Sequence, residues 1–222
     1  MRVEGFLFEQ LLMITPVMIL ELAGVAVFAL SGALVAARLG QTLVTVCFFA
    51  LVTGVGGGSL RDILLGTQAE WLSDPWVSAV ILASALLVWF TPERWWRGQL
   101  LEWADAAGLS AFAALGTAKA LEFGVAPIPA VVLGVASGCV GGIIRDVLAG
   151  QPSILMRPEL YVTAAALTSI LALAALATDL PRLPALLIAS AAGFALRGAA
   201  LVWSIELPSY GNKKAGRDGP PS

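Results

Sequence analysis

Residues 54–66 read GVGGGSLRDILLG and residues 138–150 read GCVGGIIRDVLAG; a shift of 84 positions lays one on the other without a gap. Each copy sets a run of glycines and an Arg-Asp pair inside a strongly apolar segment. The match extends outward. Ala23, Gly24, Phe28, Ala29, Gly32, Ala36 and Gly40 recur as Ala107, Gly108, Phe112, Ala113, Gly116, Ala120 and Gly124, and Glu21 recurs as another acid, Asp105. A chain that repeats itself in this way must build two like substructures, and the number of elements in each unit decides how the two are related.

Those elements are membrane helices. Hydrophobic residues make up 59% of the chain and charged residues 13%, against about 25% charged in an ordinary soluble domain, and mean hydropathy is +0.88. Apolar runs long enough to cross a bilayer recur along the whole length. Seven spans are predicted, at roughly 13–37, 42–66, 75–91, 101–121, 127–150, 158–177 and 184–204. The apolar run after Arg2 lacks a small-residue cleavage site and reads as a retained first helix. Spans 1–3 (repeat 1, about 13–97) return as spans 4–6 (repeat 2, about 98–180), and span 7 stands alone within one transmembrane domain over 1–205. Three spans is an odd number, so the second unit enters the membrane from the opposite side, as an inverted repeat. The expected fold is therefore an all-α polytopic membrane protein, followed by a polar tail at 206–222 in the cytoplasm.

Loop charge sets the orientation. Arg38, Arg94, Arg97, Arg157, Lys213, Lys214 and Arg217 fall on one side, and Arg2 and Arg182 on the other. Seven against two places the N-terminus outside and the C-terminus in the cytoplasm. Trp71, Trp76, Trp95, Trp96 and Trp103 lie near span ends, where indoles favour the interface.

Inventory excludes several functions. Histidine is absent, which removes the commonest general base and metal ligand. Cys47 and Cys139 lie in apolar segments and fit small buried hydrophobes, not a disulfide framework or metal cluster. No catalytic arrangement, metal site or cofactor is predicted. Net charge is −2, so no basic surface is available for nucleic acid.

The candidate pathway residues are those a membrane helix should avoid. Gly54, Gly56, Gly57 and Gly58 lie mid-span in one repeat, and Gly138, Gly141 and Gly142 in the other. Each glycine weakens a helix by about 1 kcal/mol relative to alanine, and a cluster permits a kink or an unwound turn along a wet path. Free carbonyls there could replace the hydration shell of a cation, and a half-helix starting at Ser59 could receive an anionic group. The bland alternative is close helix packing. That alternative is preferred for the i,i+4 series Gly24–Phe28–Gly32–Ala36–Gly40 and its copy Gly108–Phe112–Gly116–Ala120–Gly124.

Arg61, Asp62, Arg145 and Asp146 need partners at membrane depth. Adjacent helix residues point about 100° apart, so the expectation is cross-pairing between repeats: Arg61 with Asp146, and Arg145 with Asp62. The same residues could line a pathway with Glu21 and Asp105. Lys119 has no counterpart in the first repeat, where Val35 occupies the matching position. It reads as a movable or blocking charge, or as a side chain snorkelling to the interface. Arg197 reads as structural or interfacial.

The stretches FALSGA and GVGGGSLRDILLG, returning as FAALGTAKA and GGIIRDVLAG, resemble the TRIC family of trimeric intracellular cation channels, and the chain is similar to a bacterial member over about residues 15–205. The resemblance implies a homotrimer in the bacterial inner membrane among membrane lipids. It implies a pore inside each subunit that conducts K+, with Na+ as a second permeant ion. It places kinks in spans 2 and 5 at Gly56, Gly57, Gly58, Gly141 and Gly142, and a voltage-response role at Lys119. Some bacterial relatives of this broad family carry the label glycine transporter instead. The leading expectation is thus a passive cation channel; the alternative is a secondary transporter of a small amino acid such as glycine, to which inverted repeats and broken helices are equally suited.

Overall fold

The computed structural model describes residues 15–96, 98–154 and 160–207. Seven α-helices run through them: α1 Pro16–Arg38, α2 Leu43–Leu64, α3 Pro75–Phe90, α4 Leu100–Glu122, α5 Pro127–Leu148, α6 Tyr161–Leu176 and α7 Arg182–Trp203. All seven expected spans are present within a few residues of their expected limits. Arg2, Arg97, Arg157, Lys213, Lys214, Arg217 and the predicted tail after Pro208 lie outside the described residues.

Local chemistry sets the helix ends. Thr15, Thr42 and Asp74 cap α1, α2 and α3 by accepting from the backbone N–H of Met18, Thr45 and Trp76. Proline occupies the first turn of α1, α3 and α5, where no N–H is needed. Gly40 and Gly124 stop α1 and α4 at φ +66° and +75°, the left-handed conformation that closes a helix C-terminus. These two therefore leave the packing series expected of them: a Cβ at either would meet nothing within 4 Å.

α1, α2, α5 and α7 are long and apolar enough to cross a membrane. α3 and α6 have only 16 residues each, about 24 Å at 1.5 Å per residue, and α4 carries Glu102, Asp105, Lys119 and Glu122 among its residues. Many large apolar side chains point outward. Val44, Phe90, Ile128, Trp203 and Ile63 are each more than 65% exposed, whereas the interior is rich in alanine and holds serine, threonine and charged residues beside a few large apolar side chains such as Phe28, Leu109 and Leu186. Lipid contact explains this arrangement, since alkyl chains provide no reason to hide leucine and small residues let helices approach.

Within repeat 1, α1 packs on α2 and α3; within repeat 2, α4 packs on α5 and α6, with α7 laid against α4 and α6. The repeats join through α2 on α5 and α1 on α4. α1 starts near Glu21, beside Arg61, and ends near Val35, which lines a cavity with Asp105 and Arg145. α4 starts at that cavity and ends with Lys119 beside Asp62. The two helices are antiparallel.

A charged cluster at each end of the helix crossing

The glycine runs do not unwind. α2 and α5 are continuous α-helix through Gly54–Gly58 and Gly138–Gly142, which corrects the expectation of a broken turn with free carbonyls. The half-helix start expected at Ser59 is absent for the same reason; its Oγ instead accepts from Trp71 Nε1 at 3.0 Å. The glycines serve helix contact. A Cβ on Gly57 would overlap the Ser137 carbonyl oxygen, and one on Gly141 would stand 2.6 Å from the Thr53 carbonyl oxygen. These are the same contact seen from each repeat, because Thr53 and Ser137 are also 84 residues apart. Gly138 sits against the Leu109 carbonyl oxygen, 2.7 Å from a would-be Cβ. Gly54, Gly56 and Gly58 stand mainly against side chains, those of Ala29, Ile144 and Phe112.

The Arg-Asp pairs fold back on themselves. Arg61 Nε donates to Asp62 Oδ1 at 2.8 Å, and Arg145 Nε donates to Asp146 Oδ1 at 2.9 Å. Cross-pairing of Arg61 with Asp146 and of Arg145 with Asp62 is therefore overturned. The 100° between neighbouring Cβ atoms matters less than the length of an arginine, whose guanidinium can curl back to the adjacent carboxylate. The second oxygen of each aspartate holds the loop that follows. Asp62 Oδ2 accepts from the Glu70 backbone N–H at 3.2 Å, and Asp146 Oδ2 from that of Ile154 at 2.9 Å. Each donor lies eight residues beyond its aspartate, so the repeat persists at the level of single hydrogen bonds.

Around these pairs two clusters form. In the first, Arg61 reaches Glu21 at 3.6 Å and Glu70 at 3.1 Å. Lys119, from the other repeat, lies 2.9 Å from Asp62 Oδ1 and also binds Glu70. Lys119 is bound inward, which rules out snorkelling in this structure. In the second, Arg145 Nη1 donates to Asp105 Oδ1 and to Ser31 Oγ, both at 2.7 Å; the serine belongs to repeat 1. Asp105 Oδ2 and Tyr161 Oη are buried without hydrogen-bond partners. Arg197, 1% exposed, stacks over the Tyr161 ring with its Cζ 5.5 Å from the centroid, so it is a buried structural residue and not an interfacial one. Cys139 is buried and Cys47 half-buried, both as free thiols.

Glu70 and Tyr161 were not legible as site residues. The matching positions are Ile154 and Val77, so the repeat gives no signal for either. Glu70 lies in a short 3-10 turn, Glu70–Leu72, outside the seven helices. Burial works against its charge, but a hydrogen bond with Glu21 and the charges of Arg61 and Lys119 outweigh that and hold its pKa at about 2. With the folded value below the usual 4.5, the stabilisation is complete above pH 4.5 and is lost only as pH falls through about 2. Glu70→Gln is therefore expected to lower the thermal unfolding temperature equally at pH 7 and pH 5.5. A difference that vanishes at pH 5.5 would contradict this arrangement.

The first cluster opens on a cavity of about 20 Å³ lined by Glu21, Gly58, Arg61, Glu70, Trp71 and Phe112. The second opens on one of about 160 Å³ lined by Glu102, Asp105, Arg145, Asp146 and Gln151. Asp105 and Lys119 are 14 residues apart on one helix, so the clusters are separated by about 21 Å. The two charged clusters thus lie toward opposite ends of the bundle, the first beside a small cavity with a mainly apolar wall and the second beside a larger, half-polar one, with the α2–α5 glycine crossing between them.

The family model described as Glycine transporter matches this chain twice, over residues 18–93 and 102–177. The two matches are displaced by the same 84 positions as the motifs. The chain belongs to that family. Its relatives include the UPF0126 inner membrane protein YadS of Escherichia coli K12, 35% identical over 89% of this chain and 98% of the relative. A UPF0126 membrane protein of Vibrio cholerae is 37% identical over 86% of this chain and 82% of the relative. Among solved structures, the TRIC trimeric intracellular cation channel orthologue from Rhodobacter sphaeroides matches with a TM-score of 0.78 and 37% identity, covering 85% of this chain and 98% of that one. A prokaryotic TRIC channel solved in 0.5 M KCl matches with a TM-score of 0.79 and 26% identity over 86% and 98%. The resemblance to the TRIC family read from the glycine and Arg-Asp motifs is borne out, and the fold is the helical membrane fold of those proteins.

Proposed function

We propose that this protein is a passive channel for monovalent cations, K+ foremost and Na+ second, with one pore inside each subunit of a homotrimer. The observation that carries the reading is the pair of carboxylate-bearing vestibules at opposite ends of the α2–α5 crossing, in a chain 37% identical to a solved TRIC cation channel. Carboxylates concentrate cations at each mouth. The antiparallel α1 and α4 support two repeats inverted across the membrane, and the Arg38 and Arg94 loops support the cytoplasmic side for the second cluster. Neither vestibule offers a nucleophile with a partnered base, so the reading is non-enzymatic.

Lys119 is the proposed voltage-responsive group. Bound to Asp62 and Glu70, it bridges the repeats at the first vestibule. Movement of one charge through the full field is worth about 2.3 kcal/mol per 100 mV. Lys119→Met is expected to flatten the dependence of open probability on voltage while leaving unitary conductance within about twofold.

The family description favours a second reading, transport of glycine. The first cavity, at about 20 Å³, has room for a water or a bare ion but not for an amino acid, while the second, at about 160 Å³, is large enough for glycine, so that reading requires the bundle to open at the first cluster. Single-channel recording of purified protein in planar bilayers with asymmetric KCl tests the two. Discrete openings that reverse near the K+ equilibrium potential support the channel; electrical silence with saturable uptake of labelled glycine into proteoliposomes rejects it.

A further inference from the structure

We propose that the pocket where α1 and α3 end binds the phosphate of an anionic phospholipid through Arg38. Nothing in this site depends on whether the pore conducts. The pocket has a volume of about 690 Å³, within the range of about 300–1,000 Å³ typical of small-molecule sites. Arg38, Gln41 and Trp96 give it a polar side, and Leu34, Val88 and Trp89 an apolar one. It lies outside both charged clusters, on the far side of α1 from the helix crossing of α2 and α5.

Here the two repeats part company. Shifted by 84 positions, Arg38 becomes Glu122 and Gly98 becomes Arg182. In repeat 2 that acid and that base form an ion pair, which ties the end of α4 to the start of α7. In repeat 1 the cation is present, and glycine stands where its counter-charge would be expected. A Cβ on Gly98 would meet nothing within 4 Å, so the place where repeat 2 carries a charged side chain is open space here.

Arg38 is held in position by neutral groups. Its Nη2 donates to the backbone oxygens of Trp96 at 2.9 Å and Gly98 at 3.4 Å. Its other two nitrogens donate to no described residue, and no described carboxylate pairs with it. Glu102 and Asp105 border the neighbouring second cavity, which Arg38 also touches, but Asp105 is taken by Arg145. Water alone can solvate an exposed arginine. What points to a ligand is the combination: a guanidinium fixed through one nitrogen, an open half-polar pocket beside its free edge, and a repeat-equivalent site closed by an ion pair.

The missing group is an anion, and the setting favours a lipid as its source. A guanidinium edge with two free N–H nitrogens matches two oxygens of one phosphate. Basic pockets between membrane helices bind anionic headgroups in this way. The apolar wall of Leu34, Val88 and Trp89 would be of no use to a free phosphate, but it suits the start of an acyl chain. Trp89 and Trp95 are 42% and 62% exposed beside it, and indoles collect at the level of lipid headgroups. Arg94, exposed in the short turn Glu93–Trp96, adds a second positive charge to the same rim.

The test reads binding and not current, because Arg38 also borders the second cavity and could alter conduction directly. Protein stripped of lipid in a neutral detergent is titrated with phosphatidylglycerol or phosphatidylcholine, and lipid bound per chain is read by native mass spectrometry. The wild type is expected to bind its first phosphatidylglycerol about tenfold more tightly than phosphatidylcholine, the effect of a charge-assisted hydrogen-bonded pair. Arg38→Gln should bind both lipids alike. Gln41→Glu supplies an anion inside the pocket and should lose the preference too. Both residues are exposed, so neither change disturbs packing. Arg182→Gln removes one positive charge at the opposite end and should leave the preference unchanged.

A preference that survives in Arg38→Gln or in Gln41→Glu overturns the site. Equal loss in Arg38→Gln and Arg182→Gln also overturns it, since overall charge would then explain the binding. Displacement of phosphatidylglycerol by a large molar excess of inorganic phosphate would identify free phosphate as the occupant and reject the lipid. Loss of the preference confined to Arg38→Gln and Gln41→Glu, with no displacement by phosphate, supports it.

Discussion

Gly141→Ala and Gly57→Ala are each expected to lower the stability of the folded protein by about 1–3 kcal/mol or more, the range for overpacking a close contact. At both sites the new methyl group meets a backbone carbonyl of the opposite repeat, Thr53 or Ser137, which cannot rotate away. Relief requires α2 and α5 to separate, and this crossing is where the repeats join. Gly56→Ala is the control. There the nearest atom is Ile144 Cδ1 at 2.9 Å, the end of a flexible side chain, so a loss within about 0.5 kcal/mol is expected. Thermal unfolding in detergent, followed by size-exclusion chromatography, measures all three. If Gly56→Ala destabilised as much as Gly141→Ala, close backbone approach would not be the reason for these glycines. Leucine at Gly57 or Gly141 would push the helices apart, so such variants report on assembly before they report on conduction.

The second large effect concerns Arg145. It holds Asp105 and Asp146 at 2.7 and 2.8 Å, and all three residues are buried. Arg145→Met leaves two buried carboxylates without their cation and should cost about 3–5 kcal/mol, the range for breaking a buried pair from one side. Arg61→Met should cost less, although the motif is the same. Lys119 remains 2.9 Å from Asp62, and Glu21 and Glu70 are 23% and 39% exposed, so water can solvate them. The comparison is read from unfolding temperatures of the two variants, together with Arg145→Met/Asp105→Asn/Asp146→Asn. Removing the stranded charges should restore much of the loss. Equal destabilisation by Arg61→Met and Arg145→Met would show that Lys119 does not support the first cluster.

The fold was legible because it depends on periodic properties. Apolar runs gave all seven helices, and the 84-residue shift gave two equivalent units; that they join through α1 on α4 and α2 on α5 came from the structure. The Gly24 and Gly108 faces were legible for the same reason: glycine at every eighth residue, alternating at i,i+4 spacing with a repeated phenylalanine and alanine, marks a helix contact from sequence alone. The two-sided charge pattern also follows from Glu21, Arg61 and Asp62 having copies at Asp105, Arg145 and Asp146.

What the sequence did not determine depends on distances between helices. Unwinding and close packing both demand glycine, and only the approach of the Thr53 and Ser137 carbonyls shows that packing holds Gly141 and Gly57 in place. Arginine is long and flexible, so its partner is chosen by which carboxylates the tertiary structure brings within reach; helix phase alone pointed to the wrong ones. Glu70 and Tyr161 have apolar equivalents in the other repeat, and their place in the clusters arises where the symmetry is broken. The sequence thus set the number, order and symmetry of the helices through hydrophobicity and repetition. Tertiary structure decided which polar groups meet, because those contacts depend on side-chain reach across helix crossings that no periodicity encodes.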